Sequence, residues 1–85
     1  MTVYVDESRI RYTRMTMCHM IADTHEELVE MADKIGVKRK WIQHEGTWKE
    51  HFDICLTKRA KAIKHGAQSI SFLGLGRKLA ERRKK

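Results

Sequence analysis

The run "ADTHEELVEMADKIG" (residues 22–36) constrains the fold more than any other stretch of the chain. Leu28, Met31, Ala32 and Ile35 fall at i, i+3, i+4 and i+7, one face of a helix. Asp23 or Thr24 can cap its start, with Glu26 or Glu27 three residues on, and Gly36 is a natural stop. With 85 residues in all, the chain has room for one domain and one modest core. Whatever else folds must supply the surface on which that apolar stripe rests.

The remaining segments read as strands alternating with helices. "TVYVD" (2–6) is β-branched and aromatic, a first strand, and "MTMCHMIA" (15–22) is a second, with the arginine-rich connection 7–14 between them. "VKRKWIQ" (37–43) reads as a third strand and "HEGTWKE" (44–50) as a flexible loop. "HFDI" leads into a second helix over roughly residues 56–65, where Leu56, Ala60 and Ile63 share a face. "AQSISF" (67–72) is a last strand, followed by a last helix anchored by Leu75 and Leu79. The alternation implies a small α/β domain with a mostly parallel sheet and two or three helices. In such sheets ligands bind outside the carboxyl ends of the strands, and Asp6, His19, Asp23, His51 and Asp53 all fall at or just after an expected strand end.

Charge is uneven. The net of +7 is concentrated in residues 77–85, with six Lys/Arg against one Glu, so the chain divides into a domain over 1–76 and a basic end over 77–85. Such an end attracts polyanions, or simply complements a helix C-terminus. No apolar run is long enough to span a bilayer, and "MTVYVDES" lacks the basic and apolar regions of a signal peptide, so a cytoplasmic location is expected. Cys18 and Cys55 are then reduced, and without a CxxC pair they read as small buried residues. There is no Walker motif, nucleophile elbow or HExxH, and "GLG" (74–76) is too short for a dinucleotide fingerprint.

From residue 3 to about 69 the chain resembles a family of small uncharacterised α/β domains carried by phages and actinobacteria. The pieces that carry the resemblance are "VYVD" (3–6), "HMIADTHEELVEMADKIGV" (19–37), Trp41 with Gln43, and "HFDICLTKRAKAIKHGA" (51–67). The resemblance implies tyrosine at position 52, where phenylalanine stands, and it leaves the basic end outside. It implies a shared fold and a phage setting, and no mechanism.

The chemistry must come from the residues. His51 and Asp53, two apart, share one face of a strand, so a ring nitrogen of His51 can be oriented by the carboxylate. One expectation is a binding module for nucleic acid or nucleotide phosphate. Lys58 and Arg59 would hold phosphate at a helix start, Trp48 or Trp41 would stack on a base, and Arg14 with Arg9 and Arg11 would add charge. A second is a metal-dependent phosphodiesterase or nuclease. Asp6, Asp23 and Asp53 would bind Mg²⁺ or Mn²⁺, with His19 or His51 as acid or base. A third is an interaction protein that binds a host factor. Each residue also has an ordinary structural role: Asp23 and Asp53 as helix caps, Asp6 as a strand end, Trp41 as a core anchor.

Overall fold

"MTMCHMIA" forms the longest strand and organises the sheet. The computed structural model describes residues 2–12 and 14–83, and in it the elements run β1 (Val3–Val5), β2 (Ile10–Tyr12), β3 (Met15–Ala22), α1 (His25–Ile35), β4 (Phe52–Cys55), α2 (Leu56–Lys64), β5 (Gln68–Ser69) and α3 (Phe72–Arg83). A 3₁₀ turn at Arg39–Trp41 lies between α1 and β4. β3 pairs along one edge with both β1 (Val5 opposite Met20) and β2 (Ile10 opposite Met17). Its other edge pairs with β4, His19 standing opposite Asp53. β5 adds to the far side of β1.

Among the described residues only β1 and β5 run parallel, and every other strand pairing is antiparallel. This corrects the mostly parallel sheet expected from the strand–helix alternation. Two local misreadings account for it. The connection 7–14 contains a strand, β2, and the stretch 37–43 does not form one: Ile42 N–H closes a 3₁₀ turn on the Arg39 carbonyl, and only Gln43 makes a β-bridge, to His51. β4 therefore takes the place beside β3 and enters it from the opposite direction. The surviving crossover unit is β4–α2–β5.

Alternation along the strands sends residues to two faces. Val3, Val5, Cys18, Met20, Ala22, Phe52 and Ile54 point to one, against Leu28, Met31, Ala32 and Ile35 of α1 and Ala62 of α2. Tyr4 and Ile21 point to the other, where α3 lays Leu75 and the partly buried Leu79 over them. Phe52 is fully buried on the α1/α2 side, so its missing hydroxyl concerns the core. Lys78 of α3 donates to the Tyr4 hydroxyl at 3.1 Å with its ammonium 4.4 Å from the ring centre, which raises the lysine's pKa.

α1 follows its pattern. Thr24 is the cap, its hydroxyl accepting from Glu27 N–H (3.2 Å) and donating to the Glu27 carboxylate (2.9 Å). Gly36 ends it in the left-handed region, φ 80°. α2 departs from its pattern. Leu56, Ala60 and Ile63 are exposed, whereas Ala62 is buried and Lys58 and Arg59 are half-buried. The helix follows β4 without a connecting residue, so the strand fixes its rotation.

Candidate functional site

His19, His51 and Asp53 meet on the α3 side of the sheet through register and parity. His19 and Asp53 are cross-strand partners, and His51 stands two residues before Asp53 on the same face. Asp6, just beyond β1, extends the β1–β3 pairing through its N–H to the His19 carbonyl (3.0 Å). The residues therefore converge from a sheet face, not from the carboxyl edge of parallel strands as the sequence led us to expect.

Each imidazole is held from behind. His19 Nδ1 lies 2.8 Å from Asp6 Oδ2, and the other Asp6 oxygen accepts the His19 backbone N–H at 2.8 Å. Ser8 donates to the same carboxylate at 2.8 Å. Asp6 is fully buried, so these donors replace the water it gives up. His51 Nδ1 lies 2.7 Å from the Lys49 carbonyl. A carboxylate and a carbonyl only accept, so Nδ1 carries the proton in both rings and each Nε2 faces forward. Asp53 Oδ1 stands 3.8 Å from His19 Nε2 and 3.4 Å from His51 Nε2. The rings of His19 and His51 sit edge to face with centres 5.4 Å apart. His44 adds a third imidazole, 5.9 Å from that of His51.

Two grooves adjoin this cluster. One, of about 600 Å³, lies between α3 and the sheet and is lined by His19, His44, His51, Trp48, Lys49 and Arg77 beside an apolar wall that begins at Phe72. The other, of about 690 Å³, is bordered by His19, Asp53, Trp41, Met15 and Met17. His19 lines both.

Residues 44–50, expected to be a flexible loop, are internally bonded. The Gln43–His51 bridge closes the segment, and Thr47 returns both its N–H (3.1 Å) and its hydroxyl (2.7 Å) to the His44 carbonyl. His44 itself adopts φ 53°. Buried Glu50 accepts from Gly46 N–H (3.3 Å) and lies 2.5 Å from His25 Nδ1, tying the segment to α1. The hydrogen bond and charge of Glu50 raise the pKa of His25.

The other expected site residues are distributed. Trp48 lines the groove beneath α3, with Lys49 Nζ 5.1 Å and Arg83 Cζ 5.4 Å from its ring. Trp41 is 61% exposed at the second groove, so it is no core anchor. Lys58 and Arg59 line neither groove. Arg59 instead braces the fold, donating to the Asp6 carbonyl (2.8 Å) and the Ser69 hydroxyl (2.6 Å). Lys58 leans on Gly36: its Nζ would be 3.0 Å from a Cβ placed there. Arg14 is exposed in the turn between β2 and β3. Asp23 accepts the Thr2 N–H (3.0 Å) beyond the end of β3, and neither it nor Asp6 belongs to the group formed by His19, His51 and Asp53. Asp53 does not cap α2, whose cap position is Cys55. Arg39 is paired with Asp33 at 2.7 Å, which raises the arginine's pKa and lowers the aspartate's. The side chain of Tyr12, and Lys84 and Lys85 of the basic end, lie outside the described residues.

His44, Phe72 and the orienting role of Asp6 were not legible beforehand. His44 opens the expected loop and His51 follows it, but only the bridge at Gln43 brings their rings together.

A family model matches the chain over residues 3–84. The chain belongs to that family, described as Protein of unknown function (DUF4031). The match continues past residue 69 through α3, so the family's span takes in most of the basic end. No curated protein and no solved structure matches the chain. With no activity attached to the family, function must be argued from the side chains. Among the described residues no helix is long and apolar enough to cross a membrane.

Proposed function

We propose that the protein binds a phosphorylated ligand, a nucleotide or a short single-stranded nucleic acid, in the groove between α3 and the sheet. The observation that carries this reading is Trp48, set in that groove with Lys49 and Arg83 against its ring and Arg77 on the same wall. An aromatic face accepts any base by stacking, and flanking cations neutralise the phosphates attached to it. The apolar wall suits a base or sugar, and the groove's volume of about 600 Å³ is that of a small-molecule site. The phosphate-holding role expected of Lys58 and Arg59 passes to Lys49, Arg77 and Arg83. A phage-encoded cytoplasmic protein, the setting expected from the sequence, would meet such ligands in abundance.

Fluorescence titration with nucleoside monophosphates and short oligonucleotides, across a range of salt, tests it. Trp48→Ala should weaken binding by about 5- to 150-fold, the equivalent of roughly 1–3 kcal/mol of stacking per base. Arg83→Ala should lower the salt slope by about one, and Lys58→Ala should change nothing. A flat salt response together with full binding by Trp48→Ala would rule the reading out.

Cleavage of the bound phosphate ester is a second reading, favoured by the three imidazoles that line the groove and by Asp53 beside His51. Water would attack phosphorus as the ester oxygen leaves; one proton passes to His44 and one returns to the leaving oxygen. The ring of His44 makes no hydrogen bond among the described residues, so its nitrogens are available. If a bis(nitrophenyl) phosphate is turned over with added divalent metal, His44→Ala should lose about a hundredfold or more. Absence of turnover with every metal tried would exclude cleavage and leave binding standing.

A further inference from the structure

We infer that His19, His51 and Asp53 form a site for one borderline transition-metal ion, Zn²⁺ or Fe²⁺, in place of the Mg²⁺ or Mn²⁺ expected of three carboxylates. The donor set decides the class. Two imidazole nitrogens and one carboxylate oxygen suit zinc and iron, whereas magnesium takes oxygen ligands and keeps its waters. The carboxylates do not gather into such an oxygen set: Asp6 is occupied behind His19, and Asp23 accepts from Thr2 beyond the end of β3.

The geometry fits a single ion. All the ligand atoms lie within 4.8 Å of one another, and Asp53 Oδ1 is already 3.4 and 3.8 Å from the two Nε2 atoms. A tetrahedral ion with bonds of about 2.0–2.1 Å spaces its ligands about 3.3 Å apart. Two imidazoles bound to it through Nε2 would have ring centres about 5 Å apart. The rings of His19 and His51 are 5.4 Å apart, so small side-chain movements close the site.

The outer shell is also in place. A ligating histidine gives its other N–H to a carboxylate or a backbone carbonyl, which fixes the tautomer and turns the free nitrogen toward the metal. Asp6 does this for His19 and the Lys49 carbonyl does it for His51. Simple ion pairs between protonated histidines and Asp53 would need no such backing at both Nδ1 atoms. Three protein ligands leave a position vacant, as catalytic zinc sites do. His19 and His51 line the groove beneath α3, so that position would open toward the ligand of the proposed function. The site deepens the cleavage reading, since the ion would polarise a bound phosphoryl oxygen or water. It stands or falls by metal binding alone.

Tag-free, metal-stripped protein titrated with Zn²⁺ by calorimetry, and with Co²⁺ by visible absorption, tests the site. One equivalent should bind per chain, with d–d bands of a four- or five-coordinate cobalt, and excess Mg²⁺ should not displace it. His51→Ala and Asp53→Asn should each weaken binding at least tenfold. Glu45→Gln should leave it unchanged, although Glu45, with His25 and Glu50, marks a second place an ion could lodge. Should the variants unfold, paramagnetic shifts of the His19 and His51 ring protons in the cobalt-loaded wild type give the same reading without mutation. No saturable binding, equal affinity in both ligand variants, displacement by Mg²⁺, or loss through Glu45→Gln would each overturn the site. Intact oligonucleotide binding beside any of these would leave the groove reading untouched.

Discussion

Asp6 is the residue whose position most changes its meaning. As an acid at a strand end it reads as a metal ligand; buried and bonded to His19 N–H, His19 Nδ1 and Ser8, it becomes the group that sets one histidine. Asp6→Asn keeps the shape but offers one acceptor oxygen where two are used. Either the His19 amide or its Nδ1–H then loses its partner, at a cost of about 1–3 kcal/mol in denaturant unfolding. If the ring is the loser, ¹⁵N shifts should show the proton moving from Nδ1 to Nε2, the nitrogen that faces Asp53. Unchanged stability together with an unchanged tautomer would deny Asp6 the orienting role. The nearby Cys18 thiol is pushed up to about 11, chiefly by burial, and donates to the Ile54 carbonyl at 3.5 Å. Accordingly, a thiol reagent should modify the partly exposed Cys55 in the folded protein and reach Cys18 only on unfolding. At this scale His51 and Asp53 were legible as a pair because a strand repeats every two residues. His19 was expected beside them at a shared strand-end edge, but its actual place comes from the register of β3 against β4, which the order of segments does not give.

Among the elements, α1 shows most plainly why some of the fold can be read and some cannot. Its stripe, cap and stop are local and agree with one another, and each is realised. Thr24→Ala should therefore cost about 1 kcal/mol in unfolding free energy, by removal of the bond from Glu27 N–H. Gly36→Ala should cost about 1–2 kcal/mol for the left-handed backbone alone. The new Cβ would meet only the flexible end of Lys58, which can move aside. A Thr24→Ala protein as stable as wild type would mean that the neighbouring turn supplies another acceptor. α2 is the contrasting case. Its span is local, but its buried face is dictated by β4, and the apolar residues Leu56 and Ile63 are left outward while the stems of Lys58 and Arg59 turn in. The stretch 37–43 contains Val37, Trp41 and Ile42, a strand-like set, yet Lys38 to Ile42 close a 3₁₀ turn and Trp41 remains outside. β2 failed to register because "IRY" is only three residues long and sits among arginines.

For the molecule as a whole, a four-strand-wide sheet with α1 and α2 on one side and α3 on the other leaves part of the α3 side uncovered. The candidate site occupies that part, and the segment 44–50 forms its wall through His44, Trp48 and Lys49. Sheet direction could not be read from the order of segments, because one missed strand and one supposed strand are enough to reverse the sense of β4 against β3. What holds the wall to the rest is the contact of Glu50 with His25 at the start of α1. Its pH dependence follows from the direction of the His25 shift. The folded pKa is raised above the unfolded value near 6.5, so the protonated histidine is favoured by folding. The stabilisation is fully present below that unfolded value and is lost as pH rises through the higher folded pKa. Neutral His25 can still donate through Nδ1 to Glu50, so part of the tie survives at alkaline pH. The difference in Tm between wild type and His25→Ala should accordingly be widest in mildly acidic buffer and narrow steadily toward pH 9. A gap that stays constant, or widens as pH rises, would show that the charge on His25 contributes nothing to holding the wall. Because that segment carries Trp48, the same titration followed by tryptophan fluorescence should show it loosening over the same range in the wild type, and much less pH dependence in the variant.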